Sequence, residues 1–237
     1  GHTIYLHTGS SMSANMHIYK SPGFDATTDI QVAATINRQA FMMVVDPNSK
    51  FKTVEEITAY LKQKGEQASY ATSATSGTVM GELYKAITGV KAVEVNYRMA
   101  QDSLNDLASG RIDYAMHDPQ FASAMLRTGK LRVLGIASAQ RMKFLPELPT
   151  MDESGVKGMD LNGWFAAFVP SATPKPVVQK INEIFNDLLK TDETVKFLNQ
   201  FGGDPWITTP EEGQAYLLQD IKNWGEYVKI AKIEVRG

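Results

Sequence analysis

The segment Tyr70–Tyr84 (YATSATSGTVMGELY) holds the residue types that best fit a binding function. A short β-type stretch, Ala68–Tyr70, runs into a loop of hydroxyl-bearing and small residues. That loop opens into an amphipathic helix, which we expect to end at Gly89. The first turn of a helix presents unpaired backbone N–H groups and the positive end of the helix dipole, and small residues let an anion approach closely. The segment therefore predicts a carboxylate or phosphate site at Ser73, Thr75, Ser76, Gly77 and Thr78.

A plainer interpretation of this segment competes with the anion site. Ser76 or Thr78 could simply cap a surface helix, and the segment alone favours that explanation. A second hydroxyl-rich loop, Thr8-Gly-Ser-Ser11, follows the strand-like Thr3–Leu6. Two such loops after strands strengthen the anion-site hypothesis, and they add Thr8, Ser10 and Ser11 to the candidate residues.

Four further residues could face a ligand, and each has an ordinary structural alternative. Asp118 precedes a predicted helix and could be its N-cap or a ligand contact. Arg98, after a strand, and Arg38, in a predicted turn between two strands, could pair with an anion or remain solvated. Phe165 could wall a ligand site or pack in the core.

Composition narrows the class of protein. The 237 residues are 43% hydrophobic, with a net charge of −2, which suits one large α/β domain or two small lobes and disfavours nucleic-acid binding. The longest apolar runs, Ala40–Val45 and Trp164–Val169, are too short to cross a bilayer. The chain has no cysteine, no HExxH, no Gly-Lys-Ser/Thr phosphate loop and no GxSxG motif, so we predict neither a metal site nor a serine hydrolase of the GxSxG type.

Strand-like and helical segments alternate along most of the chain, which predicts crossover units and a largely parallel sheet. The expected strands are Thr3–Leu6, Ile30–Thr35, Phe41–Val45, Ala68–Tyr70, Ala92–Asn96, Asp113–Met116, Leu131–Ala137 and Trp164–Val169. Expected helices include those starting at the capping boxes of Thr53 and Thr209, Met99–Ser109, Pro119–Arg127, and those from Thr173 and Thr191.

Two extended apolar runs ending near prolines, at residues 41–45 and 163–169, could cross between lobes. They predict one lobe from residues 1–45 plus 163–237 and a second from residues 46–162. A ligand would then sit in the crevice at the carboxyl ends of the strands.

Several strings occur together in an informative order. They include the opening GHTIYLHTGSS, then MMVVDPNS, YATS, GELYKAITGV, TGKLRVLGIASAQR, LPELPT and GWFAAFVPSATP. In this order and spacing the chain resembles the substrate-binding receptors of bacterial tripartite tricarboxylate transporters, the Bug or TctC-like family. The resemblance runs from Gly1 nearly to the C-terminus.

The resemblance implies a fold, a function and a location. The fold class is α/β, two-lobe periplasmic binding protein-like (type II), with mixed, mostly parallel sheets flanked by helices. The implied function is capture of a small carboxylate between two lobes and delivery to the permease subunits of the transporter. No catalysis, cofactor or direct membrane insertion is implied, and the location is the bacterial periplasm. The family grip on a carboxylate matches Ser73–Thr78 here.

This chain also departs from the family pattern. Family members begin several dozen residues earlier, with a first strand and helix that this chain does not contain, so we expect lobe 1 to be N-terminally incomplete. A histidine common in the binding loop is Thr78 here, and an aspartate common at the next strand end aligns with His117, one step before Asp118. The candidate ligand-binding residues are Thr8, Ser10, Ser11, Ser73, Thr75, Ser76, Gly77, Thr78, Arg98, Asp118 and Phe165.

Two other functions remain open from the sequence. A similar two-lobe fold serves as the effector-sensing part of transcription regulators, although no basic helix-turn-helix segment is seen in this chain. An enzyme on the same fold would need a positioned base or nucleophile, for which His117 with Asp118 is the adjacent candidate pair.

Overall fold

The alternation expected from the sequence is present as eight strands and eight α-helices within residues 3–235, which the computed structural model describes. The strands are β1 (Tyr5–Thr8), β2 (Ile30–Val45), β3 (Ser69–Thr72), β4 (Val93–Asn96), β5 (Tyr114–His117), β6 (Arg132–Ala137), β7 (Asn162–Pro170) and β8 (Gly203–Pro205). The helices are α1 (Gly9–Ile18), α2 (Val54–Lys64), α3 (Thr75–Thr88), α4 (Ser103–Ala108), α5 (Pro119–Arg127), α6 (Lys175–Leu188), α7 (Asp192–Gln200) and α8 (Pro210–Ile230).

Local sequence signals set the ends of several helices as predicted. The Thr53 hydroxyl accepts a hydrogen bond from the backbone N–H of Glu56 at the start of α2. Thr209 and Glu212 form a reciprocal capping box at the start of α8. Gly89 follows α3 with φ of 75°, the left-handed conformation that glycine adopts without strain. The predictions for Thr209 and Gly89 are confirmed. At Thr53 the hydroxyl caps α2 as predicted, but the box is not closed, because Glu56 accepts from the Lys52 backbone N–H at 2.7 Å.

Three elements differ from the sequence-based expectation. Residues 30–45 form one continuous strand instead of two strands with a turn at Arg38, because the polar stretch between them contains neither glycine nor proline to break it. Ser10 and Ser11 lie in the first turn of α1 and not in a loop, since the helix begins directly after β1. The short strand β8, which pairs with β2, follows directly where the sequence predicted only that Gly202-Gly203 ends the preceding helix.

The chain divides into two compact units. Unit 1 comprises the chain up to Arg38, then Gly163–Asn199 and the chain from Asp204, and unit 2 comprises Gln39–Asn162 and Gln200–Gly203. The strand β2 runs from unit 1 into unit 2, so its two ends belong to different units. The bounds that the sequence predicts for two functional lobes stay a prediction.

Unit 1 is built around Trp164 on β7. The strand β7 pairs antiparallel with β1, and Thr8 lies opposite Phe165. Trp164 is fully buried, and its indole N–H donates to the Asp220 carboxylate of α8 at 2.9 Å. A side chain on Gly9 would lie 2.1 Å from the Trp164 ring, so this glycine allows α1 to begin against the indole.

Unit 2 has a mixed sheet covered by helices. The strand β3 pairs in parallel with β4 and β5, and β2 pairs antiparallel with β5 and β6. Because β3, β4 and β5 run in one direction, their carboxyl ends meet at the same edge of the sheet. Ser73, Tyr97 and Asp118 follow those ends, so the loops that the sequence singled out are gathered at one edge.

Candidate anion-binding site

The helix α3 starts without a capping side chain. Its N-cap is Ala74, in extended conformation, and its first turn contains no acidic residue. Helix geometry leaves the backbone N–H groups of Thr75, Ser76 and Gly77 without acceptors inside the helix. Neither Ser76 nor Thr78 caps the helix, so the plainer interpretation of this segment is wrong at α3. The first turn can therefore donate main-chain hydrogen bonds to an anion.

Two glycines place this helix start on the sheet. A side-chain carbon on Gly77 would lie 2.8 Å from the Met116 carbonyl oxygen at the end of β5. A side-chain carbon on Gly81, one turn later, would lie 2.1 Å from the Tyr70 ring. Because only glycine fits at these two contacts, α3 lies directly on the ends of β3 and β5, with Gly77 buried and Ser76 half-buried.

The Thr78 hydroxyl is committed to a protein carboxylate. It donates to Glu94 Oε1 at 2.5 Å, and the Thr72 hydroxyl donates to the same oxygen at 2.6 Å. Since a hydroxyl has one hydrogen to donate, Thr78 can offer a ligand only its oxygen lone pairs while this bond persists. Glu94, in the middle of β4, was missed by the sequence analysis, because nothing local marks a strand glutamate as a partner of a helix start.

Other helices of the chain begin differently. Asp118 Oδ1 accepts a hydrogen bond from the Phe121 backbone N–H at 2.9 Å, so Asp118 is the N-cap of α5, the structural alternative named for it. Thr53 and Thr209 cap α2 and α8 in the same way. Within residues 3–235, four α-helices, α1, α3, α4 and α6, begin without a side-chain cap, and α1 and α3 are the two of these whose first turns carry more than one hydroxyl.

In unit 1, the candidate residues around α1 lie close together. The Thr8 and Ser10 hydroxyls are 2.9 Å apart, and no side chain caps α1. Phe165 is opposite Thr8 in the β1–β7 pair and is 39% exposed, so it does not belong to the core, and its contact with a ligand stays a prediction. Ser10 is buried and Ser11 half-buried in the same helical turn.

Arg98 takes no part in the contacts described for the starts of α1 and α3. It is exposed in the bend after β4 and forms no hydrogen bond or ion pair with the residues between 3 and 235. Its role as a ligand residue stays a prediction that no contact in the structure supports.

His117, at the end of β5, is fully buried. Its Nε2 lies 3.0 Å from the Ser103 hydroxyl, which itself donates to the Ala100 carbonyl at 2.6 Å. Because Ser103 has one hydrogen and donates it to that carbonyl, His117 must carry its proton on Nε2. The Nδ1 atom is then a buried acceptor without a partner.

Burial lowers the pKa of His117 to about 4, so the imidazole is neutral at pH 7. The ring bonds to Ser103 and contacts the Phe121 ring, while the Asp118 carboxylate caps α5. The Ser103 contact was not foreseen, since it joins residues of two separate elements.

Residues 3–235 contain no group of three histidine or acidic side chains placed to hold a metal ion. Over the same residues, no helix is both long enough and apolar enough to span a membrane.

Solved structures show the class of protein. The structure named "R. palustris Rpa4515 with adipate" superposes with a TM-score of 0.80 and 28% identity, over 99% of this chain and 79% of that one. "Structure of periplasmic binding protein BugD" gives a TM-score of 0.75 and 25% identity, over 98% and 78% of the two chains. The chain has the type II periplasmic binding protein-like fold predicted from the sequence.

The family follows from the sequence match. The family described as "Tripartite tricarboxylate transporter family receptor" matches residues 1–233, and the chain belongs to it. Among its relatives, Protein BugT of Bordetella pertussis is 22% identical over 97% of this chain and 71% of its own length. A protein of the tcbD-tcbE intergenic region of Pseudomonas sp. is 26% identical over 96% and 68%. The family resemblance inferred from the sequence is confirmed.

Proposed function

We propose that this protein is an extracytoplasmic, periplasmic receptor that captures a small organic acid and delivers it to the permease of a tripartite tricarboxylate-type transporter. The observation that carries the proposal is the uncapped first turn of α3, with three main-chain N–H groups beside small and hydroxyl-bearing residues. Membership of a receptor family supports it. The receptor acts by binding alone, without turnover of the acid.

The helix start suits a carboxylate for two physical reasons. The N–H groups of Thr75, Ser76 and Gly77 satisfy carboxylate oxygens through charge-assisted hydrogen bonds, and the helix dipole adds about 0.3–1 kcal/mol for a negative charge at this end. The first turn of α3 contains no acidic residue, so no carboxylate from that turn occupies the proposed binding position. The Glu94 carboxylate is bonded to the Thr78 hydroxyl, one turn further along the helix.

Adipate is the first acid to test. It is named in a similar structure at 28% identity, and it carries two carboxylates without other polar groups. That the acid is held between two lobes, as the sequence predicts, is part of the proposal.

The direct experiment is a thermal-shift and calorimetry screen of the protein with adipate and other di- and monocarboxylates, with the neutral adipamide as control. A ligand at one hundred times its Kd should stabilise the native state by about 2.7 kcal/mol. We expect a rise in Tm with one or a few acids, no rise with adipamide, and no chemical change in the acid. Turnover of the acid, or equal shifts with adipamide, would contradict the proposal.

The site is tested by Ser76→Pro. Ser76 is the second residue of α3, where proline is compatible with the helix, so the substitution removes one N–H donor and leaves the helix start in place. Losing a hydrogen bond to a charged group should weaken binding by about tenfold or more. Glu55→Pro, at the same position of α2, is the matched control and should leave affinity unchanged. Unchanged affinity in Ser76→Pro would place the acid elsewhere.

A further inference from the structure

Arg38 is a cation without an anionic partner. It lies on β2 at the end of its segment of unit 1, and its guanidinium carbon is 4.0 Å from the centre of the Trp206 ring and 5.4 Å from that of Tyr216. Within residues 3–235 it forms no ion pair, and its Nε is enclosed without a hydrogen-bond acceptor. An enclosed charged donor without an acceptor is costly and rare in native structures.

The aromatic surface under the guanidinium is held rigidly. The Trp206 and Tyr216 rings meet edge to face at 4.7 Å, and Trp164 contacts them at 5.8 and 5.3 Å. The Trp206 backbone N–H donates to the Ile36 carbonyl at 3.0 Å, and its carbonyl accepts from the Thr35 hydroxyl at 2.5 Å. The strand β2 therefore carries Arg38 and also holds Trp206 by two hydrogen bonds.

Stacking on Trp206 leaves the outer edge of the Arg38 guanidinium able to bind an anion. Stacking occupies a face of the planar group and Nε is enclosed, whereas the two Nη groups at the end of the guanidinium are left for hydrogen bonding in its plane. The N–H groups of Nη1 and Nη2 form a fork that matches the two oxygens of a carboxylate. Stacking also keeps the long side chain from losing much conformational entropy when an anion binds.

The same aromatic cluster supports the helix start in unit 1. Trp164, which contacts both rings under Arg38, also lies directly against Gly9 at the beginning of α1. Unit 1 thus attaches an uncapped, hydroxyl-bearing helix start and an unpaired guanidinium to one rigid group of rings. The sequence alone had left Arg38 undecided between an anion partner and a solvated side chain.

We propose that Arg38 binds a carboxylate of the organic acid through its two Nη groups, and that it makes the receptor select ionised acids over neutral analogues. This inference rests on the proposed receptor function.

Side-chain NMR tests the contact directly. In ¹⁵N-labelled wild-type protein, the Arg38 Nε–Hε signal is assigned by its loss in Arg38→Lys. Addition of adipate, or of the acid with the largest effect in the screen, should shift this signal, because a carboxylate on the Nη groups changes the electronic environment of the whole guanidinium. Adipamide at the same concentration should leave it unchanged. An Arg38 signal that does not move while calorimetry shows the acid bound would overturn the inference.

Affinity gives the second measurement. Arg38→Met should bind the acid about ten- to a hundredfold more weakly, the range expected for hydrogen bonds to a charged group. Arg38→Lys keeps the charge without the fork and should fall in between. Arg111→Met removes the same charge from a side chain that is 78% exposed, and it should bind like wild type.

The two proposals fail in different ways. If no acid of the panel binds the wild-type protein, the receptor function is wrong. If acids bind the wild type and Arg38→Met alike, with the NMR signal unmoved, the receptor function stands and the role of Arg38 is rejected. The wild-type NMR result remains decisive even if Arg38→Met does not fold.

Discussion

Single residues in this protein acquire their chemical character from partners distant in sequence. Glu94 binds the hydroxyls of Thr72 and Thr78, although it belongs to another strand. His117 is neutral because it is enclosed at the end of β5, and its tautomer is set by Ser103. Neither role has a local sequence signal, since both depend on which elements the fold brings together.

The burial of His117 predicts a pH-dependent stability. Its pKa in the folded protein, about 4, is below the ordinary 6.5, so the unfolded chain takes up the proton first as the pH falls. The free energy of unfolding should therefore decrease from about pH 6.5 towards pH 4, with a His117 contribution of at most about 3 kcal/mol. Urea denaturation at several pH values measures this.

His117→Gln supplies the comparison for that pH series, because glutamine can donate to Ser103 but does not titrate. The difference in unfolding free energy between wild type and variant should shrink as the pH falls through this range. A difference that stays constant from pH 7 to pH 4 would mean that His117 does not titrate in this way.

At the scale of elements, five of the helix starts fall into two contrasting groups. The starts of α2, α5 and α8 are closed by Thr53, Asp118 and Thr209. The starts of α1 and α3 carry hydroxyls that do not cap. A cap stabilises its own helix, whereas an uncapped start keeps its N–H groups for another acceptor. The second kind is the one proposed here for binding.

This distinction predicts unequal effects of two similar substitutions. Thr53→Ala should lower the free energy of unfolding by about 1 kcal/mol, since it removes a cap from α2. Ser76→Ala should change it by less than about 0.5 kcal/mol, because Ser76 caps nothing. Urea denaturation at pH 7 measures both variants. An equal loss in the two would show that Ser76 stabilises α3 after all.

At the scale of the whole molecule, the chain crosses between its two units four times, each time inside a strand or helix and not through a linker. Two crossings, after Arg38 and after Asn162, lie within the long strands β2 and β7. The other two, after Asn199 and after Gly203, lie within α7 and β8. Residues in a paired strand are protected from proteases, because cleavage requires the backbone to leave the ladder.

Limited trypsin digestion tests this arrangement. Lys20, exposed in a bend after α1, should be cut well before Arg38, which is half-buried in β2. Mass spectrometry of early digestion products identifies the sites. An early cut after Arg38 would contradict the continuity of the strand, and the heat-unfolded protein, in which both sites are accessible, is the control.

The sequence by itself determined the elements and the family. Capping boxes, Gly89 and hydrophobic alternation are short-range signals, so α2, α3, α5 and α8 and most strands could be predicted from neighbouring residues alone. The ordered family strings predicted the receptor family in the same way. The first turn of α3 could be proposed as an anion site from the sequence because its chemistry lies in one continuous segment.

The tertiary structure alone decided which candidates meet and what each side chain does. It made Asp118 a helix cap, committed the Thr78 hydroxyl to Glu94, and left Arg98 exposed. It also joined residues 35–38 and 206 of the chain, so that Arg38 lies on Trp206. The physical reason is that hydrogen-bond satisfaction and burial depend on neighbours in space, and for these side chains the neighbours come from separate elements of the fold.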